Sequence, residues 1–175
     1  MEGIRGSKIM LRAMEPSDIE FLYKLENDTS VWNISNTIAP FSKFVLEEFV
    51  ANAHSDIYET KQQRMMIDIL ETSKTIGCVD LFDFDANNQR AGIGLIIYDD
   101  SERKKGYASE SLELLIKYSF VVLNLHQLYC NIISDNISSL NLFKKFGFEI
   151  IGLKKQWIRC GNKWEDEFML QLIGT

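Results

Sequence analysis

Hydrophobic and polar positions along this chain repeat with two periods, and the changes between them mark its elements. In the middle, Ala108, Leu112, Leu115, Ile116, Ser119, Phe120 and Leu123 recur at three- and four-residue spacing, which places them on one helical face. Just upstream, Ile93 to Tyr98 reads as a buried strand, and a polar loop from Asp99 to Lys105, closed by Gly106, joins the two. Nearer the start, Lys8 to Arg12 is a short strand. Pro16 then suits the first turn of a helix with Ile19, Leu22, Tyr23 and Leu25 on one stripe. Val31 to Phe41 has no clear period and reads as a packed loop able to shape a pocket. Ser42 caps a second helix that runs to about His54. Arg64 to Leu70, Thr75 to Phe84 and Arg90 to Tyr98 follow as strands. Their short polar turns imply an antiparallel meander.

Past the central helix, Gln127 to Ser134 alternates as a strand. Connected to Arg90–Tyr98 through a helix, it is expected to lie parallel to it. Asn136 opens a short helix, Ser138 to Phe146, that Gly147 stops. Phe148 to Trp157 and Trp164 to Leu172 close the chain as a hairpin around Cys160-Gly161-Asn162-Lys163. The expected fold is α/β (α+β), with flanking helices. Its central sheet is mixed and mostly antiparallel, with the fourth and fifth predicted strands as a parallel pair. Neither repeats nor linkers interrupt the chain, so residues 1–175 read as a single domain.

The loop before the central helix carries chemistry. The first N–H groups of a helix have no internal partner, and the helix dipole adds positive character there. Gly106 lets the backbone turn tightly, and Arg103, Lys104 and Lys105 add cations, so an anion such as a pyrophosphate fits this turn. A solvated loop is the alternative reading of the same residues. Composition narrows the classes: 175 residues, 46% hydrophobic and 25% charged, suit an ordinary domain with a full core. Nineteen basic against 25 acidic residues give a net charge of -6, which disfavours nucleic acid and suits a cationic substrate. The apolar runs fall short of a membrane span, and the first residues lack a signal-peptide core. Three widely spaced cysteines, Cys78, Cys130 and Cys160, argue against a disulfide framework and for a reducing, cytoplasmic setting. His54 and His126 form no zinc-spaced cluster with them, so no metal is expected.

The order of elements and two of its motifs resemble the GNAT family of acetyl-CoA-dependent N-acetyltransferases. Arg103-Lys104-Lys105-Gly106-Tyr107-Ala108 is similar to the family's Q/R-x-x-G-x-G/A run. The stretch from Asn136 through Ser139 and Phe143 to Gly147-Phe148 is similar to its N-x-x-A/S-x-x-x-Y/F-x-x-x-G-F. Within the family the chain resembles the spermidine/diamine and ribosomal-protein-alanine branches, and Ile76-Gly77-Cys78-Val79-Asp80-Leu81 and Ser119 to Tyr129 have the polyamine-type look. The resemblance implies acetyl-CoA as co-substrate and a small amine such as spermidine as acceptor. A peptide N-terminus is the second acceptor class. A catalytically weak acyl-CoA-binding regulator is the third reading. It also implies where coenzyme A lies: the diphosphate on Arg103 to Ala108, the pantetheine arm along Leu95, Ile96, Ile97 and Tyr98, and further contacts from Asn136, Ser139 and Phe143. Two departures stand out. Phe143 occupies a position where many members have a proton-donating Tyr, and Ala91-Gly92-Ile93-Gly94 replaces a stretch where relatives often have Glu. Asp80, on a strand face with Ile76, Cys78, Phe82 and Phe84, is the expected base. A hold on a cationic amine, or a buried structural carboxylate, fits it as well. The closing hairpin is able to pair with a second copy.

Overall fold

The computed structural model describes residues 3–35 and 37–174. In chain order its strands are β1 (Ile4–Arg5), β2 (Ile9–Arg12), β3 (Gln63–Ile69), β4 (Thr75–Asp85), β5 (Arg90–Ile97), β6 (Gln127–Ile133), β7 (Glu149–Cys160) and β8 (Lys163–Ile173). The helices are α1 (Ile19–Asn27), α2 (Trp32–Ser35), α3 (Lys43–Ala51), α4 (Ile57–Thr60), α5 (Tyr107–Val121) and α6 (Ile137–Lys145). One sheet takes all the strands in the spatial order β1-β2-β3-β4-β5-β6-β8-β7. The closing hairpin enters with β8 against β6, which leaves β7 on the outside edge.

Neighbours are antiparallel except β5 and β6, the parallel pair that the crossover through α5 dictates. That pair is short. It runs from Arg90–Gln127 to Gly92–Tyr129, although β5 continues to Ile97 and β6 to Ile133. Beyond Gly92 the two strands diverge into an open wedge. The sheet is covered on both faces. On one, Leu112 and Leu115 of α5 and Leu140 and Phe143 of α6 belong to a core with Leu128, Cys130 and Leu170. On the other, Leu22 and Leu25 of α1 and Leu46 and Val50 of α3 cover Met66 and Cys78.

A buried charge cluster locks the N-terminal half. Arg12 of β2 bonds Asp68 of β3 through Nε (2.5 Å) and Asp18, just before α1, through Nη1 (2.7 Å). Its Nη2 also reaches Thr75 of β4 at 3.0 Å. Local chemistry ends the helices as the sequence implies. Ser42 Oγ accepts from Val45 N at 3.2 Å, Asn136 Oδ1 accepts from Ser139 N at 3.2 Å, and Gly147 takes φ +86°. Three short elements were not anticipated. β1 adds a strand ahead of the first predicted one, so the parallel pair becomes the fifth and sixth. α2 lies within the stretch read as a loop, and α4 follows α3. Elements of two to four residues are too brief to show a period, and tertiary contacts fix them; Trp32 Nε1, for instance, donates to the Glu26 carbonyl at 2.9 Å.

Candidate active site

The turn into α5 has the backbone that an anion site needs. Gly106 is the N-cap at φ +90° with no side chain capping it, and Lys104 also has positive φ (+62°). The first helical bond is Glu110 N to Gly106 O; among the described residues, no acceptor takes the N–H groups from Lys104 to Ser109. Such a run of outward N–H groups is an anion-binding concavity. The three cations differ more than the sequence implied. Arg103 pairs with Asp100 (2.6 Å) and donates from Nε to the Ile97 carbonyl (3.1 Å). Lys105 pairs with Glu102 (2.7 Å). Lys104 makes no ion pair among the described residues. The loop is held from outside as well. Lys74 of the β3–β4 turn bonds Asp99 (2.6 Å) and Glu102 (3.1 Å). The Lys74 bond, with help from Ser101, holds the Asp99 carboxyl down at about 2. Glu110 accepts from Lys8 N (3.0 Å) and Ser7 Oγ (3.0 Å), which ties the β1–β2 turn to the first turn of α5.

A cavity of about 1120 Å³ occupies the wedge between β5 and β6 and extends onto the sheet face that carries α1 and α3. Leu95 and Ile96 line it on the β5 side, and Asn136, Ser139 and Phe143 on the α6 side. Ile97 and Tyr98 lie beyond this lining. The Tyr98 ring instead packs edge-on against Phe21, 5.8 Å between centroids. Phe143 is buried, packed edge-on against Phe148 at 5.1 Å. A phenyl ring there offers shape and no proton.

Register partners share a sheet face, so one face can be read across the strands. Arg64 of β3 opposes Asp80 of β4, which opposes Gly94 of β5. Arg64 donates from Nε to Asp80 Oδ1 (2.7 Å) and from Nη2 to Oδ2 (3.1 Å), and it also pairs with Glu26 of α1. This corrects the expected setting of Asp80: it sits on a guanidinium, not isolated among apolar neighbours. The glycines explain themselves on the same face. A Cβ on Gly92 would lie 2.2 Å from the Phe82 ring, so Phe82 fills the space of any side chain at that position. Phe82 packs edge-on against Tyr129 at 5.9 Å, and Tyr129 donates to Asp83 at 3.0 Å. A Cβ on Gly94 would make ordinary contact with Asp80 Cβ (3.8 Å) and the Phe82 ring (3.9 Å), and Gly94, Asp80, Arg64 and Glu26 all line the cavity. Beyond the wedge, Lys154 of β7 donates to Glu167 of β8 (2.6 Å) and to Asn131 of β6 (2.9 Å), and all three line the cavity.

Protonation narrows the roles. Burial pushes the Cys78 and Cys130 thiols up to about 12. Burial and the bond to Asp83 push the Tyr129 phenol up to about 12. None is a thiolate or phenolate at neutral pH. The structure thus brings Leu95, Ile96, Asn136, Ser139, Phe143 and Asp80 to one cavity, and Arg103 to Ala108 to the helix entry outside it. The sequence reading missed Arg64, Glu26, Lys154 and Glu167. Glu167 shares its strand face with Glu165 and Gln171, an alternation that reads as solvated.

Among the described residues, no helix is long and apolar enough to cross a membrane. The family model for the acetyltransferase (GNAT) domain matches residues 8–149. An uncharacterized N-acetyltransferase of Bacillus licheniformis is 29% identical over 99% of this chain and 97% of its own. A spermidine N(1)-acetyltransferase of Vibrio cholerae is 27% identical over 82% of this chain and 80% of its own. The crystal structure of spermidine N-acetyltransferase from Vibrio cholerae in complex with CoA and spermine superposes with a TM-score of 0.86. It covers 96% of both chains at 23% identity, a likeness of fold.

Proposed function

The chain belongs to the GNAT acetyltransferase family, and from that premise we propose that it moves the acetyl group of acetyl-CoA onto a primary amine of a small polyamine such as spermidine. Acetyl-CoA supplies an activated acetyl thioester. The residues suited to hold it are the N–H groups from Lys104 to Ala108, with Lys104 as the unpaired cation, for the diphosphate. The open β5 edge at Leu95 and Ile96, beside Asn136, Ser139 and Phe143, suits the pantetheine arm. That edge has backbone groups that an amide-bearing arm can satisfy.

The observation that carries the acceptor is the acidic wall of the cavity, where Asp80 and Glu26 surround Arg64 and all three line it. Two carboxylates around one guanidinium leave one negative charge in excess, so a cationic amine is attracted. Each Asp80 oxygen keeps a lone pair after bonding Arg64, enough to hold an ammonium. With both oxygens already engaged, Asp80 orients the amine better than it deprotonates it. Likeness to a spermidine N(1)-acetyltransferase supports the same class of acceptor. Bringing amine and thioester together lowers the barrier by about 7–11 kcal/mol, and a backbone N–H near Ile96 supplies the bond to the developing oxyanion.

The test is release of free CoA from acetyl-CoA across a panel of spermidine, short diamines and a peptide with a free N-terminus. Turnover with spermidine, and a KM for it about tenfold higher in Asp80→Asn, is the expected result. Acetylation of the peptide alone would move the acceptor to a protein N-terminus. CoA binding with no release by any amine would leave only a binding role.

A further inference from the structure

With Phe143 unable to move a proton and Asp80 held on Arg64, three carboxylates line the cavity with one oxygen free of hydrogen bonds among the described residues, Glu26, Asp56 and Glu167, and of these three Glu167 borders the β6 side of the wedge. Glu167 is 9% exposed, and its Oε2 is held by Lys154 at 2.6 Å. Its Oε1 has no hydrogen-bond partner among the described residues, is not sealed from solvent, and belongs to a side chain that lines the cavity. Position favours it too. Glu167 is the register partner of Ile133, at the end of the β6 edge that borders the wedge. It therefore faces the reacting region from the wall opposite Asp80, on the same side of the sheet. Lys154 is itself fixed by Asn131 (2.9 Å) and lies over the Trp157 ring (5.3 Å), so Glu167 is clamped in one orientation.

We infer that Glu167 is the base that removes a proton from the acceptor ammonium, while Asp80 and Glu26 hold the cationic chain across the wedge. This rests on the acyl-transfer reading. The ammonium gives one proton to Glu167 Oε1, and the neutral nitrogen forms the C–N bond to the acetyl carbon. The C–S bond breaks with its electron pair on the sulfur of CoA. The second proton from nitrogen ends on that thiolate, and Glu167 returns the first to solvent. The groups facing Glu167 are few. From β7 the charge is Lys154, from β6 the polar group is neutral Asn131, and α2, which touches β7, brings Ile34 and Ser35 to the same cavity. On its own strand, Glu165 is the charge that shares its face two positions away, and Asp166, on the other face, accepts from Gln156 N at 2.7 Å.

The experiment compares wild type, Glu167→Gln, Glu167→Asp and Lys154→Met with acetyl-CoA and spermidine across pH 5–9. Calorimetric binding of CoA and of spermidine, and thermal melting, are measured beside the kinetics. Glu167→Gln is expected to lower kcat about 10²-fold with little change in either affinity, and Glu167→Asp to restore part of it. Lys154→Met leaves the carboxylate in place without its cation. Its kcat is expected to fall with little change in the affinity for CoA or spermidine, because Glu167 Oε2 loses the bond that orients it, which keeps the idea testable if Glu167→Gln unfolds. Wild-type rates in Glu167→Gln, or a higher KM at unchanged kcat, would overturn the base role. An unchanged kcat in Lys154→Met would do the same. Failure of the wild type to release CoA with any amine would instead remove the acyl-transfer reading itself.

Discussion

At the scale of single residues, the site is decided by what stands next to each ionisable group. Asp80 was visible in the sequence as an acid in an apolar strand; its partner Arg64 was not, because the two lie sixteen positions apart and meet only through the β3–β4 register. Cys78 shows the same dependence. It lies under the helix-covered face, and burial, with the nearby Arg64 opposing and Asp80 and Glu26 adding to it, raises its thiol to about 12. Cys130 is likewise raised, whereas Cys160 near the hairpin turn is partly exposed. For a thiol whose pKa is raised on folding, the neutral form is favoured, and its contribution to stability is full below the ordinary value of 9.0 and is lost as pH rises from there through the raised value. A disulfide-exchange reagent at pH 8 is therefore expected to titrate one thiol rapidly in the native protein and three after denaturation. Rapid modification of two would place a buried cysteine at the surface.

At the scale of elements, α5 and its entry loop were legible because a fifteen-residue helix repeats its stripe several times and Gly106 marks its start. What the loop's cations do was not legible: Arg103 and Lys105 are tied to neighbouring acids, which leaves Lys104. Lys104→Glu is expected to weaken CoA binding about fivefold to tenfold, since an exposed charge contact contributes up to about 1 kcal/mol and reversal replaces attraction with repulsion. Calorimetry checks it, and an unchanged affinity would move the diphosphate away from this turn. On the other side of the wedge strand, a Cβ on Gly77 would lie 2.0 Å from the Ile96 carbonyl, a backbone atom that cannot swing aside. Gly77→Ala is expected to cost about 1–3 kcal/mol in a denaturant melt. It should also weaken CoA binding through displacement of Ile96. A variant as stable as the wild type would show that β4 and β5 can separate there freely.

At the scale of the whole molecule, the outer strand β7 leaves an edge of the sheet unpaired and shows Ile150, Ile151, Leu153 and Trp157 to solvent. A long apolar edge of this kind invites pairing with another chain. Sedimentation is expected to give a species larger than the 20.2 kDa protomer, with Ile151→Lys shifting it toward monomer; a wild type that sediments as one chain would refute this. The sequence by itself determined the long elements, their order and the one parallel crossover. Periodicity, capping residues and the handedness of a strand–helix–strand connection act locally along the chain. Tertiary structure alone decided where β5 and β6 part company, which glycine gives way to Phe82, and that Glu167 meets the cavity. Those outcomes depend on strands distant in sequence coming into register, and no local pattern encodes the pairing.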